Sequence, residues 1–168
     1  MNEMNKNKLS LIADNSGNGI EFHHFNPDIF GSLADSMNRF TIGTMFRIML
    51  PDIMPDLKKI IYLDSDLFVN TDIEELWNLN IDNYCLAAAQ DCSTIRNWGT
   101  PYAVAAGQTT RDRYFNAGVL CMNLDNIRKN GSLFQQVMDY LNDNPRTWLP
   151  DQDALNSIFS GETLLRQL

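Results

Sequence analysis

The sequence predicts an α/β fold in which helices cover a mostly parallel sheet. Segments with helical periodicity alternate with short apolar segments, an order typical of strands joined by helices. Residues 60–63, IIYL, are continuously apolar, as in a short strand buried on both faces. The chain has 168 residues, of which 44% are hydrophobic, so it can form one domain with a packed core.

The predicted helices begin or end at capping residues and prolines, and they cover residues 3–14, 41–50, 71–77 and 131–144, with a last helix that begins at residue 150. The predicted strands are the apolar runs of residues 20–26, 60–63, 85–91 and 114–124. Pro51 is expected to close the second helix, Thr71 or Asp72 to cap the third, and Asp151 to cap the last. Residues 93–113 are left unassigned.

Composition excludes several functional classes. The net charge is −8 and the sequence pI is about 4.6, so we expect no nucleic-acid partner and no anionic-membrane surface. The sequence contains neither a signal-peptide pattern nor an apolar run of about 18 residues, which predicts a cytoplasmic protein with no transmembrane segment. Cys85, Cys92 and Cys121 form no CxxC pair and are expected to be reduced thiols.

Asp64 and Asp66, in the stretch LDSD, directly follow the apolar strand. In an extended backbone both carboxylates would leave the same face while Ser65 points away. Two neighbouring carboxylates repel each other unless a cation lies between them, which favours a magnesium or manganese site at the end of the strand. A simple strand-to-loop turn is the alternative, since aspartate is common in turns.

Two other kinds of site place aspartates at a similar spacing. An EF-hand loop that begins at Asp64 fails, because Phe68 and Val69 occupy the positions of a ligand and of the required glycine. A phosphatase similar to the haloacid dehalogenases also places DxD after an apolar strand. Phe68 stands where such an enzyme usually has a smaller residue, so the phosphatase is kept as the second choice.

Three further segments carry polar residues that could contact a ligand. Arg47 lies among apolar neighbours, either as part of the polar stripe of a helix or directed at a phosphate or base. Asn116 lies near the start of a strand, where its amide can meet a sugar hydroxyl, and the small residues Ala117 and Gly118 allow another group to approach the backbone closely. An ordinary buried strand is the alternative. Asp151 and Gln152 open the last helix, and capping alone would explain the aspartate.

Taken in order, these segments resemble glycosyltransferase family 8, which includes bacterial lipopolysaccharide galactosyl- and glucosyltransferases and glycogenin. The resemblance covers residues 20–165. It depends on three blocks, FTIGTMFRIMLPDIMPDLKKIIYLDSDLFV, YFNAGVLCMNL and PDQDALN. It implies an A-type glycosyltransferase fold, related to the Rossmann fold. It also implies transfer of glucose or galactose from UDP-glucose or UDP-galactose to a carbohydrate or glycoconjugate acceptor, with retained anomeric configuration and with Mn²⁺ or Mg²⁺.

The resemblance also implies roles for individual residues. Asp64 and Asp66 match the metal-binding DxD motif, and Ser65 lies within it at the donor. Arg47 matches the family arginine that reaches the nucleotide-sugar, and Asp91 matches an acidic residue that contacts the donor or acceptor sugar. Asn116 and Ala117 match positions beside the donor sugar. Asp151 and Gln152 match the catalytic pair beside the reacting carbon.

The resemblance leaves the reaction path open. Gln152 stands where the family residue is discussed as a nucleophile or as a stabiliser of the cationic sugar. An amide is a poor nucleophile, which favours displacement on the same face, with the acceptor hydroxyl entering as UDP leaves. A covalent sugar intermediate would require Asp151 or another carboxylate behind the carbon.

Two parts of the family pattern are not found in the sequence: the opening strand with its uracil-binding segment, and the later segment with a metal-binding histidine. We therefore expect residues 1–168 to form a single domain, the central part of the family domain. From that we expect weak binding of metal and UDP, little turnover by the isolated chain and a tendency to self-associate. A non-catalytic module of the same fold is the alternative. In the intact protein, peripheral association with the inner face of the membrane is a further expectation.

Overall fold

The computed structural model describes residues 2–30, 42–92, 96 and 99–166, and the chain divides into two compact units, Met1–Asn38 and Arg39–Leu168. In the first unit, helix α1 spans Glu3–Asn15 and the side chain of Asn2 caps it by accepting a hydrogen bond from the Asn5 amide. A 3₁₀ helix spans Pro27–Phe30. The strand predicted at residues 20–26 is wrong, because these residues have no regular structure and pair with no described strand.

The second unit contains all four described strands: β1 Lys59–Leu63, β2 Leu86–Gln90, β3 Phe115–Asn123 and β4 Thr163–Arg166. The first helical segment among its described residues is a 3₁₀ helix, Ile42–Met49. The α-helices that follow are α2 Leu50–Ile53, α3 Glu74–Trp77, α4 Tyr102–Ala105, α5 Leu124–Lys129, α6 Leu133–Asp143 and α7 Pro150–Ile158. Helices α4 and α5 and strand β4 were not predicted.

Two prolines correct the predicted helix ends. Pro51 does not close a helix but lies in the first turn of α2, where the missing amide proton costs nothing. Pro150 takes the same place in α7, so Leu149 holds the capping position and the predicted cap at Asp151 is wrong. Helix α3 starts at Glu74, and the Asp72 carboxylate accepts the Glu74 amide at 2.9 Å.

The sheet is mixed and has the order β1-β3-β2-β4. Strands β1, β2 and β4 run in one direction, as a mostly parallel sheet requires. Strand β3 runs the opposite way between β1 and β2, so two of the three strand pairings are antiparallel. The sequence order of the strands could not reveal this arrangement, because β3 enters the sheet between two earlier strands. Strand β2 therefore ends beside Phe115, at the start of β3, and β1 ends beside Val119, four residues further along β3.

Apolar residues cover the sheet on one face through a cluster of Leu76, Ile81, Ala87 and Cys121, with Leu164 of β4 packed against it. Helix α7 packs against β3 and α6 packs against α7. All three cysteines are free, as predicted, with Cys92 exposed and the other two buried. Among the described residues, no helix combines the length and apolar character needed to cross a bilayer.

The side chain of Asn156 joins α7 to β3 by hydrogen bonding to the backbone of Phe115, as a neighbouring strand would. Its Oδ1 accepts the Phe115 amide at 2.8 Å, and its Nδ2 donates to the Phe115 carbonyl at 2.8 Å and to the Gln152 carbonyl at 3.0 Å. The residue is 1% exposed. Buried backbone groups need partners, so this side chain determines how the start of α7 lies against the start of β3.

We expect N156A to lower the free energy of unfolding by about 2–4 kcal/mol, since it leaves buried backbone groups of Phe115 without partners. The control is N126A. The Asn126 side chain also donates to two backbone carbonyls, at 2.8 and 3.0 Å, but it is half-buried, so water can replace it. Its expected cost is about 1 kcal/mol. Urea denaturation measures both, and equal losses would contradict the role given to Asn156.

Candidate active site

The candidate site lies where the carboxyl ends of β1 and β2 flank the amino end of β3. The Asp64 amide donates to the Gly118 carbonyl at 2.8 Å, and the Asp91 amide donates to the Tyr114 carbonyl at 2.9 Å. Both backbone bonds continue the pairing beyond the strand ends. The first turn of α7 meets the same part of β3 through Gln152. The carboxyl ends of strands are the usual place of ligand sites in α/β sheets.

Arg47 occupies the centre of this site. Its side chain donates to the carbonyl of Ala117 and, at 2.9 Å, to Oδ1 of Asp64. Its Nε lies 3.2 Å from Oδ2 of Asp151, and its guanidinium lies 4.6 Å from the centre of the Tyr62 ring. Arg47 is 3% exposed, so the interpretation as a polar helix stripe is wrong. The fold thus places a cation beside Asp64, which no lysine or arginine follows closely in the sequence.

The DxD segment leaves the strand at once. Asp64 is half-buried, and its Oδ1 also accepts the Tyr62 hydroxyl at 2.6 Å. Ser65 and Asp66 form an exposed turn, so the strand alternation used to place both carboxylates on one face does not apply. Asp66 makes no side-chain hydrogen bond with the described residues. The two predicted metal-binding carboxylates are therefore in different states, one anchored and one exposed.

Gly118 provides the space for the second oxygen of Asp64. A Cβ on Gly118 would lie 2.9 Å from Oδ2 of Asp64 and 3.0 Å from Oδ1 of Asn116, closer than carbon and oxygen normally approach. The Asn116 oxygen accepts the Gly118 amide at 2.8 Å, and Asn116 itself is exposed. The absence of a side chain at Gly118 thus lets Asp64 and Asn116 lie side by side at the cleft.

Gln152 connects α7 to both neighbouring strands. Its Oε1 accepts the Ala117 amide at 2.9 Å, and its Nε2 donates to Oδ2 of Asp91 at 2.7 Å and to the Tyr114 hydroxyl at 3.3 Å. Gln152 is 8% exposed and Asp91 is 3% exposed. The structure thus brings Arg47, Asp64, Asp91, Ala117, Asp151 and Gln152 into one connected group.

Burial raises the pKa of two acids in the first turn of α7. The pKa of Asp151 lies above its ordinary value because burial disfavours the charge, although Arg47 opposes the shift. The pKa of Asp153 is raised for the same reason, and hydrogen bonds from Thr147, Ala103 and Tyr114 oppose that shift. Burial thus opposes the charge on both carboxylates, while the Arg47 guanidinium offsets part of that cost for Asp151 and hydrogen-bond donors offset part of it for Asp153.

Three residues of this group were not predicted from the sequence: Tyr62, Tyr114 and Asn156. The close approach predicted at Gly118 is present, since the Asp64 carboxylate lies 2.9 Å from where a Cβ would stand. Tyr62 had a detectable signal, since it lies two residues before Asp64 and so shares its face of β1. A buried tyrosine also needs a partner for its hydroxyl, which could have drawn attention to Tyr114. Nothing in the local sequence indicates the long-range contacts of Asn156.

Within the described part of the chain, no three histidine, cysteine, aspartate or glutamate side chains cluster as a metal site would require. Asp64 and Asp66 are a pair of oxygen donors. Such a pair suits a hard cation that takes its remaining ligands from water and phosphate. It does not suit a structural zinc site, which needs four protein ligands.

The fold is the A-type glycosyltransferase fold that the sequence predicted. The chain superimposes on the galactosyltransferase LgtC, crystallised with donor and acceptor sugar analogues. The TM-score is 0.85 at 26% identity, over 99% of this chain and 59% of that one. A second LgtC structure, of an active-site glutamine-to-glutamate mutant, gives the same TM-score of 0.85.

The sequence comparisons identify the family. Residues 1–165 match Glycosyl transferase family 8, and the chain belongs to that family. It is 30% identical to general stress protein A of Bacillus subtilis over 159 residues, 92% of this chain and 53% of that protein. It is 31% identical to a Haemophilus influenzae protein named as a glycosyltransferase over 163 residues, 96% of this chain and 48% of that protein. The chain thus spans about half the length of these relatives.

The raised pKa of Asp153 predicts a pH-dependent effect of D153N. The unfolded-state pKa is close to the ordinary value of about 4 and the folded-state pKa lies above it, so the folded wild type loses stability relative to the neutral amide as pH rises above that ordinary value. The melting temperature of D153N minus that of wild type should therefore increase with pH. D143N, which removes an exposed carboxylate from the end of α6, is the control. A difference that shrinks as pH rises would contradict the shift.

Proposed function

We propose that the protein transfers a hexose, glucose or galactose, from a UDP-sugar to a carbohydrate or glycoconjugate acceptor, with retention of the anomeric configuration. The observation that carries the proposal is the grouping of Arg47, Asp64, Asp151 and Gln152 at the carboxyl ends of β1 and β2 in a family 8 fold. The similarity to LgtC, a galactosyltransferase crystallised with donor and acceptor sugar analogues, supports the same class of reaction.

The reaction separates charge, and the site offers groups for both signs. The bond between the anomeric carbon and the diphosphate oxygen breaks, and UDP leaves with the electron pair. Negative charge grows on the diphosphate and positive charge grows on the sugar. Groups already oriented towards growing charge stabilise a transition state without reorganisation. We assign Arg47 to the nucleotide-sugar side, and Asp151 with Gln152 to the sugar side.

Asp64 and Asp66 fit a divalent cation as a pair of oxygen donors. Arg47 and Tyr62 engage Oδ1 of Asp64, while Oδ2 faces the space that Gly118 leaves and Asp66 is exposed. Mn²⁺ or Mg²⁺ held there would act as a Lewis acid on the diphosphate. We assign Asp66 as the more direct ligand, because its carboxylate has no competing partner among the described residues.

The remaining residues are assigned to sugar recognition. Asn116 is exposed beside Asp64 and can offer its amide nitrogen to a hydroxyl. Asp91 is buried against Gln152 at the far side of the group. Ser65 lies in the exposed turn between the two aspartates. The Ala117 carbonyl and amide both bind site side chains, Arg47 and Gln152, so this residue fixes their separation.

Direct tests of the proposed function use protein expressed from its complete gene. UDP release and sugar transfer should be seen with UDP-glucose or UDP-galactose in the presence of Mn²⁺ and a saccharide acceptor. Release of phosphate from simple esters, with no sugar transfer, would favour the phosphatase alternative. Binding of UDP-sugar without any transfer would favour the non-catalytic module.

We expect D66A to weaken Mn²⁺-dependent UDP binding by about tenfold or more, because one charged oxygen ligand is lost. Calorimetric titration of UDP, with and without Mn²⁺, measures this. D56A is the matched control, since Asp56 is an exposed aspartate in the turn at the other end of β1, and it should bind UDP as wild type does. Unchanged Mn²⁺-dependent affinity in D66A would remove the metal assignment.

A further inference from the structure

The side-chain amide of Gln152 is held at both ends. An amide has two N–H donors and one oxygen with two lone pairs. Both donors of Gln152 are used, one by Oδ2 of Asp91 at 2.7 Å and one by the Tyr114 hydroxyl at 3.3 Å. The oxygen accepts one bond, from the Ala117 amide at 2.9 Å. One lone pair of the oxygen therefore remains for a ligand.

Two of these partners determine the positions of the oxygen and the nitrogen of the Gln152 amide. The backbone N–H of Ala117 can only donate, and an ionised carboxylate on Asp91 can only accept. The Tyr114 hydroxyl is different, because a phenol can donate or accept. If the Tyr114 hydroxyl pointed its proton at the Gln152 nitrogen, two donor groups would face each other and no hydrogen bond would form. The orientation of Gln152 therefore depends on where the Tyr114 proton goes.

Asp153 settles the direction of the Tyr114 hydroxyl. Its carboxylate is 0% exposed, and Oδ1 accepts the Tyr114 hydroxyl at 3.0 Å and the Ala103 amide at 3.2 Å. Oδ2 accepts the Thr147 hydroxyl at 2.6 Å. Because the single proton of Tyr114 is donated to Asp153, the lone pairs of the phenol oxygen face Gln152. Proton donation thus runs in one direction, from Gln152 to Tyr114 to Asp153.

We propose that Tyr114 and Asp153 are positioning residues that orient the Gln152 amide, with its oxygen available to the reacting sugar. This inference rests on the proposed function, in which positive charge grows on the anomeric carbon. An amide oxygen directed at that carbon stabilises the charge, whereas a rotated amide would present N–H groups and raise the barrier. Neither Tyr114 nor Asp153 touches the sugar in this scheme. Both act through Gln152, from a buried position behind it.

Y114F is the first test, because it removes one hydroxyl and little volume. We expect kcat to fall by about tenfold or more with UDP-glucose or UDP-galactose, while KM for the donor stays within about twofold. The matched control is Y140F. It removes another buried phenol, whose hydroxyl donates to Gln108 at 2.9 Å away from Gln152, and it should keep wild-type kcat. Wild-type kcat in Y114F, or equal losses in the two variants, would overturn the proposal.

The variant D153N removes the negative charge of Asp153 but keeps an oxygen that can accept the Tyr114 hydroxyl. The Ala103 amide can only donate, so the asparagine oxygen must take the place of Oδ1, and it then still accepts the Tyr114 hydroxyl. The asparagine nitrogen faces the Thr147 oxygen, which can accept. We expect kcat of D153N to fall less than that of Y114F, because the asparagine oxygen still accepts the Tyr114 proton although the charge is lost. A loss in D153N as large as that in Y114F would overturn the positioning role.

Amide proton exchange gives a readout that does not depend on turnover. The side-chain NH₂ of Gln152, followed by ¹⁵N NMR, should exchange slowly in wild type and Y140F and at least about tenfold faster in Y114F. Unchanged exchange in Y114F overturns the orientation of Gln152 by Tyr114. Wild-type protein that transfers neither sugar contradicts the proposed function instead, and faster exchange in Y114F then still supports the orienting contact.

Discussion

The ion pairs of Arg47 are the interaction on which the candidate site depends. A buried guanidinium is strongly unfavourable unless carboxylates and carbonyls surround it. Asp64, Asp151 and the Ala117 carbonyl meet that need. These partners come from the end of β1, the first turn of α7 and the start of β3, so one side chain ties together three segments that lie far apart in the sequence. Losing Arg47 would leave two carboxylates facing each other at the carboxyl edge of the sheet.

The strand order explains why these segments meet at all. Strand β3 runs opposite to β1 and β2 and lies between them, so a few residues at its start touch the ends of both. Asn156 then seats α7 on this part of β3, which brings Gln152 to the Ala117 amide. Asp64 and Asp151 share one guanidinium, while Asp66 lies exposed beside them. The local excess of negative charge supports the proposal of a cation that carries the diphosphate.

Much of the fold follows from the sequence because its strongest signals are local. The apolar runs that became β1, β2 and β3, and the amphipathic pattern of α6, depend on neighbours within a few residues. The strand predicted at residues 20–26 shows the limit, since an apolar pattern forms a strand only when a partner strand is available. Helices α4 and α5 are about one turn and a half or less, too short to leave a periodic pattern. Strand β4, of four residues, is equally short.

The residues of the candidate site also divide into those that the sequence could predict and those that it could not. Arg47, Asp64, Asp91, Ala117, Asp151 and Gln152 could be singled out as residue types near strand ends and within family motifs, and folding brings them into contact. The contacts of Asn156, and the identity of the group that approaches Gly118, could not be foreseen, because they depend on which strands become neighbours. The turn at Ser65 and Asp66 was missed for another reason: the alternation assumed an extended backbone through Asp66, whereas β1 ends at Leu63 and the turn begins at Ser65.

The location of a bound cation tests the central claim most directly. Anomalous diffraction from crystals grown with Mn²⁺ and UDP should show one strong peak within about 2.5 Å of carboxylate oxygens of both Asp64 and Asp66, with the diphosphate on its open side. The guanidinium of Arg47 should remain between Asp64 and Asp151. A peak bound elsewhere, or UDP bound with no peak at these aspartates, would contradict the account.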